Sequence, residues 1–117
     1  MRFLSVFTHE SNPALPSPPS PEMMAKMGAL IEAGMKEGWL IVTEGIQFGE
    51  KGVRIQSKRG KVTVTDGPFS EAKEVIGGYA LLEAPSFDAV VTLTRRFLTV
   101  AGDGTCEIHQ LFAPPKS

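Results

Sequence analysis

The strongest candidate for chemistry is an aspartate at the end of an alternating run. Asp66 follows Val62 and Val64 and precedes Gly67-Pro68, which breaks regular structure and fixes a turn. Loops at strand ends display functional groups on a rigid frame. Partial burial of this strand would suit Asp66 to general acid or base catalysis. A simpler interpretation stays open, in which Asp66 only caps the turn by accepting hydrogen bonds from backbone amides.

Charged residues next to this turn are candidates for ligand binding. Glu71 and Lys73 follow it closely, and Glu44 ends another predicted strand, so it could supply a second carboxylate. Two carboxylates in one site acquire different proton affinities, which is useful for acid and base roles. The alternative is a solvated charge cluster. The predicted ligand-binding set is Glu44, Gly67, Pro68, Glu71 and Lys73.

A histidine is the second catalytic candidate. His9 follows the first predicted strand and opens a segment that contains four prolines, at positions 13, 16, 18 and 19. Imidazole titrates near neutral pH and can move protons. The alternative is a solvated loop histidine. The other histidine, His109, lies in the last predicted strand, where a structural or interfacial role is expected.

Composition excludes several classes of protein. The 12 Lys and Arg residues against 13 Asp and Glu residues supply no basic surface overall, so nucleic-acid binding is not expected. A single cysteine, Cys106, excludes an internal disulfide, and the chain lacks dinucleotide, phosphate-loop and metal spacings. We therefore expect no cofactor and no metal. The apolar start of the chain is too short for a signal peptide or a membrane span, which predicts a cytoplasmic protein.

The pattern of elements predicts one α+β domain over residues 1–117. Ser20-Pro21 and Gly38 are start and stop signals for a first helix, and Ser86 can cap a second helix that covers residues 87–98. The predicted strands cover residues 2–7, 39–43, 53–57, 62–66, 75–83 and 106–112, with the third and fourth forming a hairpin. This order predicts an antiparallel sheet with both helices on one face.

Two apolar runs predict an additional contact surface. Residues 39–42 and 80–82 are apolar on both sides of their strands, whereas two helices cover one sheet face only. The second face would then expose a larger apolar patch than monomers tolerate. We therefore expect a homodimer formed through that face, most simply about a two-fold axis.

The motifs together resemble a known family. The series Glu44-Gly45-Ile46, Val53-Arg54-Ile55, Gly60 to Phe69, Lys73-Glu74 and Gly77-Gly78-Tyr79 is similar in order and spacing to the DGPF group of the YCII-related proteins. The segment from Phe87 to Phe97 and the residues Glu107-Ile108 extend the resemblance over nearly the whole chain. The resemblance implies a ferredoxin-like αβ plait with an inserted β-hairpin, in the dimeric αβ-barrel superfamily.

The resemblance also implies where an active site would lie. The wider family pairs a histidine on the first helix with an aspartate after the hairpin, and Asp66 matches that aspartate. The corresponding helix positions are Met24, Ala25 and Lys26, so the histidine has no match. Either His9 substitutes for it, or the chemistry is lost or changed.

Two functions follow from the resemblance and stay open. The first is a module that binds a small, organic acid-like ligand near Asp66, with a regulatory accessory role, because the DGPF group often accompanies extracytoplasmic-function sigma factors. The alternative is a cofactor-independent enzyme of the isomerase, lyase or hydrolase type, in which Asp66 transfers a proton. A buried Asp66 would favour the enzyme, and an open Asp66 would favour the module.

Overall fold

The computed structural model describes residues 1–10, 20–46, 52–66 and 74–113 of the chain. Its elements in chain order are β1 (Arg2–Glu10), α1 (Pro21–Glu37), β2 (Leu40–Gly45), β3 (Val53–Lys58), β4 (Lys61–Asp66), β5 (Glu74–Glu83), α2 (Phe87–Ala101) and β6 (Thr105–Gln110). The predicted order of elements is confirmed. The main differences are that β1 continues beyond residue 7 and α2 continues beyond residue 98.

The main sheet has the strand order β2-β5-β1-β6. Each neighbouring pair is antiparallel, so β1 and β2 run parallel with β5 between them, and β5 and β6 run parallel with β1 between them. Each of these parallel pairs is connected through one helix, which makes two split βαβ units. This is the ferredoxin-like α+β plait, and β3 and β4 are inserted between its second and third strands.

Both helices begin at the predicted caps. The Ser20 hydroxyl accepts a hydrogen bond from the Met23 amide at 3.1 Å, and the Ser86 hydroxyl accepts one from the Ala89 amide at 3.2 Å. Each bond satisfies an amide that has no partner within the helix. Gly38 ends α1 with a φ of 87°, a conformation that costs glycine little. The starts of both helices were therefore predictable from local sequence.

The tightly packed core lies at one end of the sheet, where β1 and β2 begin and β5 ends. Its buried side chains are Phe3, Leu40, Leu82, Ala84 and Val90. Phe87 at the start of α2 packs edge-on against Phe3, with ring centroids 4.8 Å apart. The opposite end of the sheet has none of these buried residues, and the space between helices and sheet is open there.

The inserted hairpin stands apart from the main sheet. Arg59 and Gly60 turn the chain with φ values of 52° and 80°, as two-residue hairpin turns require. Every residue of β3 and β4 is exposed in the single chain. The predicted partial burial of the strand that carries Asp66 is therefore wrong for the single chain, because no other described element packs over it.

None of the described helices or strands packs on the sheet face opposite the helices. Cross-strand pairing places Leu4 against Leu81 and Val6 against Tyr79, and Val42 pairs with Leu81 on the same face. We call this surface the outer face. Within the described ranges, no helix is both long enough and apolar enough to cross a membrane.

Candidate functional site

An open cleft lies between the helices and the sheet, and it extends from the core residues Leu40 and Leu82 toward the opposite end of the sheet. It encloses about 1410 Å³. Its lining includes His9 and Phe7 of β1, Met23 and Met27 of α1, Phe97 of α2 and the glycines of β2 and β5. Thioether and aromatic side chains give a deformable apolar wall, which suits a small organic ligand.

The floor of the cleft is bare backbone, and a β-bulge produces it. The pairing of β1 with β5 shifts between Phe7 and Thr8, so Gly77 and Gly78 both lie opposite Phe7. In such a bulge two residues of one strand oppose one residue of the other. Glycine in a strand interior often marks a site where another group approaches the backbone closely.

Each glycine of the floor has a different environment. A Cβ on Gly77 would lie 2.8 Å from Cδ2 of His9 and 3.0 Å from Cδ2 of Phe7. A Cβ on Gly78 would lie 2.8 Å from the backbone oxygen of Glu44. A Cβ on Gly45, which pairs with Gly78, would meet nothing nearer than the Gly77 oxygen at 3.8 Å. The open part of the floor is therefore at Gly45, and the imidazole of His9 lies directly over Gly77.

His9 belongs to a strand and not to a loop, which corrects its predicted location. The strand β1 extends to Glu10 because β5 continues to pair with it as far as Glu74. The side chain of His9 is half-buried, and its ring centroid lies 5.9 Å from that of Phe7. The structure therefore places His9 in the wall of the cleft, and the solvated-loop interpretation is wrong.

The two helices give the cleft an electrical polarity. The first turn of α1, from Ser20 to Met23, opens on the cleft, and a helix start carries partial positive charge. The cleft is also lined by Ala101, where α2 ends with its partial negative charge, and by Asp103. A negatively charged group is therefore favoured near the start of α1, and His9 lines the same cleft.

Glu44 binds a tyrosine on the outer face. The Tyr79 hydroxyl donates a hydrogen bond to Oε1 of Glu44 at 3.1 Å. This hydrogen bond, followed by partial burial and the negative charge of Glu44, raises the pKa of the Tyr79 phenol. The phenol thus remains a neutral donor over a wide pH range. Glu44 also borders the cleft, and its carboxylate is engaged with Tyr79.

The structure places Asp66 on the exposed hairpin. It ends β4 opposite Val53, and it is not among the described residues that line the cleft. Four other predicted ligand-binding residues, Gly67, Pro68, Glu71 and Lys73, lie outside the described residues. Over the described ranges, no three His, Cys, Asp or Glu side chains gather in a way that could hold a metal ion.

Cys106 lies on the helix-facing side of the sheet, opposite Phe7. Its thiol is half-buried, and this burial raises its pKa, although a hydrogen bond with Ser5 offsets part of the rise. Since the thiolate is the reactive form, we expect iodoacetamide to alkylate native Cys106 more slowly at pH 7 than it alkylates free cysteine. Mass spectrometry over time measures this rate, with urea-unfolded protein as the control. Alkylation as fast as that of free cysteine would contradict it.

Comparison with known proteins places this architecture in a family. The family sequence model of the YCII-related domain matches residues 1–112 of the chain. The chain belongs to the YCII-related family. No curated protein matches the chain. Within this YCII-related domain, α1 contains no histidine and lines the cleft with Met23 and Met27, so His9 is the histidine of the cleft.

Sequence reasoning missed the cleft floor. The sequence shows the Gly77-Gly78 pair within a predicted strand, but its role in the floor depends on the bulge and on Gly45 in another strand. Met23 and Met27 of α1 also line the space between the helices and the sheet. The available signal was the alternation of Phe7 and His9, which places both rings on one strand face.

Proposed function

We propose that this YCII-related protein binds a small organic acid in the cleft, with the acid group near His9 and the start of α1. One observation carries the proposal. The half-buried imidazole of His9 lies over a floor of bare backbone at Gly77, and Gly45 beside it leaves the floor open. A polar group next to an apolar, concave and unfilled surface is the usual arrangement of a small-molecule site.

The orientation of the ligand follows from the charges around the cleft. The positive end of α1 and the negative end of α2 both open on the cleft, together with His9 and Asp103, so an acid group is favoured near the start of α1. The apolar body of the ligand then contacts Phe97 and the α1 methionines. An aromatic or branched acid fits these conditions better than a polar sugar or a nucleotide.

Binding without catalysis has more support than proton transfer by Asp66. The carboxylate of Asp66 is exposed at the end of the hairpin, and α1 supplies no histidine to pair with it. An open Asp66 favours the binding module over the enzyme. A regulatory accessory role linked to sigma factors is in keeping with a ligand-binding module. The cytoplasmic location stays a prediction from the sequence.

An anionic aromatic probe tests the proposed site. We expect 8-anilinonaphthalene-1-sulfonate to bind the native protein saturably, with one strong site per chain and enhanced fluorescence. A thermal-shift screen of small aromatic and branched carboxylic acids should then yield compounds that raise the melting temperature and displace the probe. If neither the probe nor any acid binds below millimolar concentration, the proposal is wrong.

Replacement of Asp66 tests the prediction that came from the sequence. Because Asp66 is exposed and outside the described lining of the cleft, we expect Asp66→Asn to bind the probe within about twofold of wild type. Asparagine also accepts hydrogen bonds from turn amides, so the free energy of unfolding should fall by less than about 1 kcal/mol. Fluorescence titration and urea denaturation measure the two effects. Loss of probe binding would instead place Asp66 in the site.

The assembled form is proposed to be a homodimer through the outer face. Its apolar centre is formed by Leu4, Val6, Val42 and Leu81, which no described element covers. The adjoining Ile41 is 39% exposed. A second copy of the chain would remove this patch from water through one self-complementary contact.

A further inference from the structure

The hairpin of β3 and β4 has two faces of opposite character. We call the pair of strands the ribbon. One face carries Val53, Ile55, Val62 and Val64, with Ser57 opposite Val62 and Asp66 opposite Val53 at its open end, and the other carries Arg54, Gln56, Lys58, Lys61, Thr63 and Thr65. Strand alternation and cross-strand pairing fix this division, since partners in a ladder share a face. The apolar face is open to solvent in the single chain, with Ile55 62% and Val64 61% exposed.

A ribbon of this kind needs a partner. An isolated two-stranded hairpin is at best marginally stable in water, and it becomes stable when its apolar face is packed. In the described part of the chain, no side chain of the ribbon is buried against another element. The polar face is suited to solvent, so the face with Ile55 and Val64 is the one that requires a packing partner.

Charge and polarity point to a second copy of this chain as the partner. The tip of the ribbon carries Lys58, Arg59 and Lys61. The outer face has an apolar centre, and two of its carboxylates lie near its two edges, Glu44 on β2 and Glu107 on β6. The side chain of Glu107 is 71% exposed, and its recorded partner is His109, at 3.7 Å. An apolar ribbon with a basic tip therefore complements an apolar surface with acidic margins.

We propose that the ribbon of each copy packs its apolar face on the outer face of the other copy. This docking rests on the homodimer proposed above, and it names the ribbon as the element that stabilises that homodimer. The two-fold arrangement makes the contact reciprocal, so each copy gives one ribbon and receives one. The basic tip then reaches the acidic margin of the partner sheet, which sets the register of the contact.

Two matched double variants test the role of the ribbon. Ile55→Asp with Val64→Asp places two charges on the apolar face, and Gln56→Asp with Thr63→Asp places the same two charges on the polar face of the adjacent pair. Light scattering with chromatography should give about twice 12.6 kDa for wild type at micromolar concentration. We expect the first variant to raise the dimer dissociation constant at least about tenfold, and the second by less than about threefold. Far-UV circular dichroism checks that the main sheet stays folded.

A third variant distinguishes the proposed role of the ribbon from the existence of the homodimer. Leu81→Asp charges the centre of the outer face, and it should give a monomer. If Leu81→Asp is monomeric while the apolar-face variant remains a tight dimer, the dimer stands and the role of the ribbon is overturned. If wild type is a monomer at all concentrations, both proposals are overturned. Equal weakening by the two ribbon variants would also overturn the proposed docking, because the effect would then come from charge alone.

Discussion

Replacing Gly45 with leucine is expected to remove most binding of the anionic probe while leaving the fold intact. The position pairs with Gly78 on the floor of the cleft, and a Cβ there would meet only the Gly77 oxygen, at 3.8 Å. A leucine side chain therefore has room to enter the cleft, where it occupies the space beside His9. We expect the affinity for 8-anilinonaphthalene-1-sulfonate to fall at least about tenfold, as the loss of a well-filled apolar contact implies.

The control for this variant is the same side chain at a position outside the cleft. Ala25 is exposed on α1 and is not among the described residues of the lining, so Ala25→Leu should bind the probe like wild type. Fluorescence titration measures both variants, and circular dichroism confirms that they fold. Unchanged binding by Gly45→Leu would show that the probe binds elsewhere, for example on the outer face, and the proposed site would be wrong.

The second large effect is on the free energy of unfolding, which should change differently when alanine replaces each of two paired glycines, Gly78 and Gly45. In Gly78→Ala the new methyl group would lie 2.8 Å from the backbone oxygen of Glu44, which belongs to β2 and cannot rotate away. Either β2 shifts or the bulge is lost, and overpacking of this kind costs about 1–3 kcal/mol. Gly45→Ala makes no such contact, and it restricts the unfolded chain, so its effect should lie between zero and a gain of about 1 kcal/mol.

Urea denaturation at fixed protein concentration measures this difference. The concentration is kept the same because any dimer contributes to the apparent stability. We expect the unfolding midpoint of Gly78→Ala to lie well below that of Gly45→Ala, with similar slopes against urea. Equal midpoints would mean that β2 moves away from β5 at little cost, which contradicts a rigid floor beneath the cleft.

Local sequence determined the elements and much of the fold. Ser20, Pro21 and Gly38 specify the ends of α1 through hydrogen bonds and backbone angles that act within one turn, so they need no tertiary contact. Arg59-Gly60 fixes the hairpin turn in the same way. The order of strands and helices predicts an antiparallel sheet with both helices on one face, and the family resemblance implied the ferredoxin-like plait that the structure shows.

Tertiary structure decided where the candidate site lies. The end of β1 depends on pairing with β5. The sequence predicted a loop at His9, whereas this pairing keeps His9 in the strand and places it in the wall of the cleft. The floor requires Gly45, Gly77 and Gly78 to meet across two strands and a bulge, which no spacing within the sequence encodes. The exposure of Asp66 likewise depends on what packs over the hairpin, and in the single chain none of the described elements does. Local rules act over one turn or one hairpin, whereas burial and proximity between distant segments depend on the packing of the whole chain.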